Sequence, residues 1–353
     1  MSQITPAFDP KAAPAERLAL VQKLVRTLSA DRLPILVGPF YSELGFEALY
    51  WTPFVAWLSK QVPDFAKRAI IVTRGGAGHL YPAMAAQGVD LYALRTVTEV
   101  RRASLKEQRK TGLLKQIRET DFDRLVLKDA AKAHGFGLPY HVVHPAWVYW
   151  AGEPYWAGAA GVAHLQAMSD FARLPRPSIP LEGLPPQYVA VKFYGRATFP
   201  YPNPHVSSFV RRTVATLAAQ TPVVVLQSGD AYDDHTDIHV VGDNVLAVGA
   251  GVPAHENLGV QATVIGRATA FVGTYGGTAQ LALRMGVPSA SFWAEFGGTS
   301  PQHLFLNQWL GMATKTPFLA GSIDDAHLWG QLTGLPVKAL KAAEAHEIGR
   351  AHV

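Results

Sequence analysis

Residues Ala270–Trp293, AFVGTYGGTAQLALRMGVPSASFW, constrain the fold of this chain more than any other stretch. A short apolar run, Ala270–Val272, predicts a strand, and a glycine-rich turn follows it, Gly273-Thr274-Tyr275-Gly276-Gly277. The spacing then predicts a helix over Thr278–Met285, stopped by Gly286 and Pro288, and a second strand over Ser289–Trp293. A strand that hands over to a helix through glycines leaves backbone N–H groups unpaired and aims the positive end of the helix dipole at one spot. That spot suits an anion, most often a phosphate. Thr274 and Thr278 add hydroxyl donors there, although an ordinary strand–helix turn that binds nothing reads the same way.

The rest of the chain repeats the alternation. Strands are expected at Pro34–Val37, Ala69–Thr73, Leu91–Leu94 and His141–Val143, and helices at Ala15–Leu28, Glu47–Lys60, Tyr81–Gln87, Glu99–Thr111 and Asp121–Ala133. Leu174–Gln187, LPRPSIPLEGLPPQ, carries five prolines and reads as a linker. Beyond it the expected order is strand Tyr188–Phe193, helix Val206–Gln220, strand Pro222–Leu226, strand Val245–Val248 and helix Asn257–Ala268, before the opening motif. Strands alternating with helices argue for parallel sheets covered on both faces. The expected division is an α/β domain over 1–173, the linker 174–187, a second α/β domain over 188–322 and a helical segment over 323–353. Two such halves place a ligand cleft at the carboxyl ends of their strands.

Composition narrows the classes. With 48% hydrophobic and 17% charged residues the chain reads as a soluble globular protein. No apolar run approaches the roughly 18 residues of a membrane span, and the start, MSQITPAFDPKAAP, lacks a signal-peptide pattern. The absence of cysteine removes disulfides, thiolate nucleophiles and thiolate metal sites. The expected location is cytoplasmic. The net charge of +5 is spread out, and its densest run (Arg101, Arg102, Lys106, Arg109, Lys110, Lys115, Arg118) is interrupted by Glu107 and Glu119. That run reads as one exposed helix face, open to an anionic partner or to the inner face of a membrane. No nucleic-acid-binding signature accompanies it.

Four loops at expected strand ends hold the candidate chemistry. In Gly38–Glu47, Glu43 lies in the turn and is the candidate general base, whereas Glu47 opens a helix and suits its dipole. In Arg74-Gly75-Gly76-Ala77-Gly78-His79, three glycines beside Arg74 suggest a cradle for a charged group, with His79 near it. Lys192, in an apolar strand, is costly to bury unless it meets an anion, and Arg196 stands behind it. The acidic stretch Gln227–His239 offers Ser228, Asp230, Asp233, Asp234 and Asp237 with two histidines, either for a base and ribose or for a metal. Its spacing matches no calcium loop and no zinc site. His144, after the strand His141–Val143, is a weaker candidate at a cleft mouth. There is no nucleophile elbow, no H-E-x-x-H, no Walker lysine and no dinucleotide fingerprint.

With those residues in view, the run Glu256–Trp293, ENLGVQATVIGRATAFVGTYGGTAQLALRMGVPSASFW, resembles the donor-binding half of GT-B glycosyltransferases. The likeness is to the bacterial type that builds lipopolysaccharide or capsule, and heptosyltransferase-like families have a similar progression. GGAGHLYPAMA (Gly75–Ala85) is also similar to the G-G-x-G-G-H-x-x-P motif of the N-acetylglucosaminyltransferase that makes lipid II, with one glycine fewer and after the second strand. The resemblance implies an α/β, GT-B-like fold of two Rossmann-type doubly wound domains with a cleft between them. It implies a nucleotide-sugar co-substrate, no further cofactor and no metal. The donor's phosphates would meet Thr274, Tyr275, Gly276, Gly277, Thr278, Lys192 and Arg196. Its base and ribose would lie near Ser228, Asp234 and Glu256, and Glu43 would take the acceptor's proton. Arg74, His79 and His144 would contact the acceptor or a phosphate. The acceptor would be a glycan or lipid-linked hydroxyl. Two other readings stay open: a nucleotide-sugar 2-epimerase of the same fold, and a non-catalytic nucleotide-sugar-binding protein.

Overall fold

The computed structural model describes residues 9–82, 84, 87–112, 116–228, 235–297 and 299–326. The chain divides into two compact units, Met1–Pro175 with Pro253–Gly259, and Arg176–Val252 with Val260–Val353.

The first unit opens with helix α1 (Pro14–Ser29), which has proline in its first turn and Glu16 and Arg26 placed to suit its dipole. Strand β1 (Ile35–Val37) follows. Helix α2 (Leu44–Phe46) then runs through a π-helical turn at Glu47–Trp51 into α3 (Thr52–Gln61). Next come α4 (Phe65–Arg68), β2 (Ala69–Thr73), a 3₁₀ turn at Ala77–Leu80, β3 (Val89–Asp90) and α5 (Leu91–Leu94). Helices α6 (Val97–Thr111) and α7 (Asp121–Ala133) each start at a threonine capping box. Strand β4 (His141–Val143) and the short helices α8 (Ala146–Ala151), α9 (Glu153–Trp156) and α10 (Val162–Gln166) complete the unit's regular elements up to residue 175. The sheet is wholly parallel in the order β3-β2-β1-β4, with Ile35 registered against both Ala69 and His141. Leu36, Ile70 and Val72 pack against Val126, Leu127, Ala130 and Ala131 of α7 in one core cluster.

One expectation fails here, and another lies partly outside the described residues. Leu91–Leu94 is a helical turn, because the Asp90 carboxylate accepts from the Tyr92 N–H and caps a helix where a strand was expected. The helix expected over Tyr81–Gln87 falls partly on 83, 85 and 86, which lie outside the described residues, and the helical residues before it are the 3₁₀ set Ala77–Leu80.

Residues 169–187 contain no helix or strand. The second unit begins with β5 (Val189–Lys192), β6 (Tyr194–Gly195), α11 (Pro204–Ala218), β7 (Val223–Leu226), β8 (Thr236–Asp237) and β9 (Val245–Val248). Helix α12 (Ala254–Arg267) starts in the segment grouped with the first unit. It leads to β10 (Ala270–Thr274), α13 (Gly277–Arg284), β11 (Ser289–Trp293), α14 (Pro301–Thr314) and β12 (Phe318–Ser322). The six-stranded sheet β12-β11-β10-β5-β7-β9 is parallel throughout, and β6 pairs antiparallel with β8 in a separate ribbon. The fully buried runs Val189–Lys192, Val223–Leu226 and Ala270–Thr274 fit interior strands of such a sheet. Helix α14 and strand β12 had no counterpart in the sequence expectations. The C-terminal helical expectation over 323–353 lies outside the described residues from 327 onward.

Both sheets have a point where the chain reverses direction across the sheet. In the first unit it goes outward from β1 to β2 and β3, then returns to β4 on the other side of β1. In the second it goes outward from β5 to β7 and β9, then returns to β10 on the other side of β5. Loops leaving the carboxyl ends of strands at such a point diverge and open a crevice, which is where open α/β sheets bind ligands.

Candidate functional site

The switch point of the second sheet brings two predicted loops together. Gly273 is registered against Lys192, so the turn after β10 and the segment after β5 leave the sheet side by side. The N-terminus of α13 lies in this crevice. Its first N–H groups have no partner within the helix. Thr278, in its first turn, is 6% exposed, and its hydroxyl has no hydrogen-bond partner. A buried hydroxyl left unpaired costs about 1–3 kcal/mol, which a ligand oxygen would recover. Gly277 remains half-exposed, so the helix end is accessible.

Two side chains close over this turn. A Cβ added to Gly276 would stand 2.0 Å from the Tyr194 hydroxyl and 3.5 Å from Arg196 Nη1. Only glycine lets the phenol approach so closely. The phenol and guanidinium therefore sit on the backbone of the glycine turn, beside the helix end. Arg196 is half-buried and contributes a positive charge to it.

The other predicted donor residues are already engaged. Thr274 is fully buried; its Oγ1 accepts the Tyr194 N–H at 3.0 Å and donates to the Tyr194 carbonyl at 3.2 Å. Its hydroxyl fastens β10 to the segment after β5 and is no phosphate donor. Tyr275 gives its N–H to the Phe292 carbonyl, and its phenol oxygen accepts from Asn307 Nδ2 at 3.1 Å. Burial pushes that phenol up to about 12. Lys192 does not face water on an edge strand, because β5 is interior. Its Nζ donates to Ser228 Oγ at 2.7 Å and Gln261 Oε1 at 3.0 Å, and Asp237 Oδ1 lies 3.3 Å away. The β6–β8 ribbon, which pairs Tyr194 with Asp237, delivers that carboxylate. The buried lysine thus has its anion inside the protein, as burial of a charge demands. Ser228 also gives its N–H to Asp237. Asp230, Asp233 and Asp234 lie outside the described residues. Asp237 was in the acidic stretch but not singled out, and a strand lysine in need of an anion was the available signal.

Glu256 is exposed, within an ion-pair distance of 3.3 Å to His255, and belongs to the segment grouped with the first unit. The glycine cradle after β2 is also filled. The Gly76 N–H donates to Asp90 Oδ2 at 2.7 Å, and Gly75 and Gly76 both have positive φ. A Cβ on Gly75 would lie 3.1 Å from Leu258 Cβ, and Gly259 N–H donates to the Gly75 carbonyl. These glycines serve a close approach of the first turns of α12 and hold the chain's own carboxylate. His79 Nδ1 pairs with the Gly76 carbonyl at 2.8 Å, and burial pulls its imidazole down.

In the first unit, the loop after β1 carries the two glutamates, and the structure separates their roles. Glu47 is fully buried. Its Oε1 accepts from the Thr73 hydroxyl at 2.8 Å and the Tyr81 hydroxyl at 2.7 Å, and its Oε2 meets Arg74 Nη1 at 2.7 Å. The π-helical turn begins at Glu47, where the Thr52 N–H donates to its carbonyl. Arg74 also donates to the Ser42 carbonyl and lies over the Phe40 ring. Its charge is therefore spent inside the protein, not on a phosphate. Glu43 is exposed at the N-cap of α2, and its side chain makes no capping bond. It lies near Tyr149, whose phenol is 3.1 Å from Ser42 Oγ and is held well above its ordinary value by burial first.

His144 is buried and structural. Its Nδ1 accepts the Ala146 N–H at 3.1 Å, and its Nε2 lies 3.4 Å from Asp123 Oδ2. Asp123, fully buried, also accepts the Tyr41 hydroxyl at 2.7 Å and the Thr120 N–H and hydroxyl. Burial pushes this carboxyl up, but His144, Tyr41 and Thr120 outweigh that and hold it below its ordinary value. Gln116 clamps the same loop, accepting the Tyr41 N–H and donating to the Pro39 carbonyl. Among the described residues no group of three or more His, Asp or Glu is placed to hold a metal ion. No helix there is long and apolar enough to cross a membrane.

No protein-family model and no curated protein matches this chain. Solved structures similar to it include the glycosyl transferase family 9 protein of Veillonella parvula, at 11% identity and a TM-score of 0.44 over 90% of this chain and 97% of that one. The iron-containing dodecameric glycosyltransferase TibC of enterotoxigenic E. coli is similar at 13% identity and a TM-score of 0.40, over 74% of this chain. This chain spans 58% of the length of TibC. The E. coli ADP-heptose lipopolysaccharide heptosyltransferase II is similar at 11% identity and a TM-score of 0.38, over 76% of this chain and 88% of that one.

Proposed function

We propose that this chain is a glycosyltransferase of GT-B type, moving a sugar from a nucleotide-activated donor to a hydroxyl of a glycan or lipid-linked acceptor. The observation that carries the reading is the N-terminus of α13, where the buried, unpartnered Thr278 hydroxyl, the accessible Gly277 and the adjacent Arg196 and Tyr194 form an anion site. The donor's diphosphate binds there. As the acceptor oxygen bonds to the anomeric carbon, the bond from that carbon to the diphosphate oxygen breaks, and the diphosphate leaves with the electron pair. Helix N–H groups, the Thr278 hydroxyl and Arg196 stabilise the charge that develops.

The acceptor's proton goes to Glu43. Support for this choice comes from elimination and position: Glu47 has its oxygens occupied, whereas the Glu43 carboxylate is exposed in the loop at the switch point of the first sheet. Direct displacement of this kind inverts the anomeric centre. Because Arg196 and the helix end supply the positive charge, transfer is expected to continue in EDTA.

The test is incubation of the purified protein with a panel of nucleotide-diphosphate sugars and hydroxyl acceptors, with product identified by mass spectrometry. Transfer, lowered at least about a hundredfold in Glu43→Gln with nucleotide affinity retained, is the expected result. Conversion of the donor to its epimer without acceptor would replace this reading with the epimerase. Nucleotide binding without turnover would leave a binding protein.

A further inference from the structure

Helix α6 is almost unpacked. Of its fifteen residues Val100 is buried, while Thr98, Glu99, Arg101, Arg102, Leu105, Lys106, Arg109 and Lys110 are exposed. At 3.6 residues per turn these exposed positions share one side of the helix. Among the described residues none of the five cations lies within ion-pair distance of a carboxylate. The nearby acids make their hydrogen bonds and ion pairs elsewhere, Glu99 with the Thr96 cap, Glu107 with Arg118 and Asp121 with Arg124, while Glu99 also feels Arg102 and Asp121 feels Lys106 and Lys110 through space. Leu105, 38% exposed, stands in the middle of the cationic face.

We infer that this face of α6 docks on an anionic lipid surface. Five cations against one exposed acid, Glu99, leave this side of the helix strongly positive and matched to a sheet of negative headgroups, and the long lysine and arginine stems tolerate that boundary. A central leucine suits the interface of a bilayer. Nucleic-acid readers instead interleave hydrogen-bonding or aromatic side chains with their cations, and this face exposes neither amide nor ring. With one apolar residue the helix adsorbs on the surface without inserting, so binding is screened by salt.

The test is co-sedimentation of the full chain with vesicles of equal parts phosphatidylglycerol and phosphatidylcholine, and with pure phosphatidylcholine vesicles. Binding to the anionic vesicles alone is expected, falling about fivefold for each cation neutralised singly. It should be abolished in the variant with Arg101, Arg102, Lys106, Arg109 and Lys110 all changed to Gln. A charge-matched control changes the exposed Lys11, Lys23, Arg26, Arg211 and Lys315 to Gln and is expected to keep binding. Circular dichroism establishes that both variants are folded. Equal loss in the control would make net charge, not α6, the cause and overturn the inference. So would binding to neutral vesicles, unchanged binding of the α6 variant, or retention on duplex DNA with no vesicle binding.

Discussion

Thr278 and Thr274 occupy the same predicted turn, four residues apart, and have opposite fates. Both were expected as phosphate donors, but Thr274 is spent on the Tyr194 backbone, while Thr278 is buried with nothing to bond. The turn was legible in the sequence because glycines stand between an apolar run and a helical pattern; the partners of each hydroxyl depend on register, which spacing does not report. The same limit applies to Glu43 and Glu47. Spacing placed both in one loop, but only the fold shows Glu47 meeting Thr73, Arg74 and Tyr81. Because Arg74 neutralises a fully buried carboxylate, Arg74→Met is expected to destabilise the protein by about 3–5 kcal/mol in urea unfolding. Replacing Glu47 as well, as Glu47→Leu, should cost less than the two single changes together. At Gly276 an alanine Cβ would collide with the Tyr194 hydroxyl, so Gly276→Ala should weaken nucleotide binding and lower stability. The double variant with Tyr194→Phe should recover part of that stability, which a double-mutant cycle measures.

Elements were read more securely than side chains. The helix over 121–133 and the strands over 69–73, 141–143, 245–248 and 289–293 stand where the periodicity set them. The strand expected over 91–94 failed because a short polar residue overrode an apolar run: Asp90 caps α5. The capping box of α7 carries a second role, since Asp123 bonds Thr120 and also receives Tyr41 from the loop after β1. Its folded pKa lies below the unfolded value of 3.8, so the stability it contributes is present above that pH and is lost as pH falls through the folded value. Acid unfolding followed by circular dichroism should therefore be less steep below about pH 4 for Asp123→Asn, which starts from a lower stability at neutral pH. An unchanged acid limb would show that Asp123 does not couple the loop to protonation.

At the scale of the molecule, the two parallel sheets share one logic: each reverses at the strand that begins it, β1 in one and β5 in the other. Glu43 follows the first of these strands and Arg196 the second. That arrangement follows from strand order, which alternation alone left undetermined. The central claim is that the end of α13 grips a diphosphate. Isothermal titration with uridine, adenosine and guanosine diphosphates, each against its nucleoside, tests it most directly. The account predicts that one diphosphate binds and its nucleoside binds at least about a hundredfold more weakly, since charged hydrogen bonds contribute about 1.5–3 kcal/mol each. Thr278→Val should weaken that diphosphate about tenfold or more without lowering thermal stability, because it removes a hydroxyl that bonds nothing in the free protein. A nucleoside that binds as tightly as its diphosphate, or a Thr278→Val variant with unchanged affinity, would contradict it.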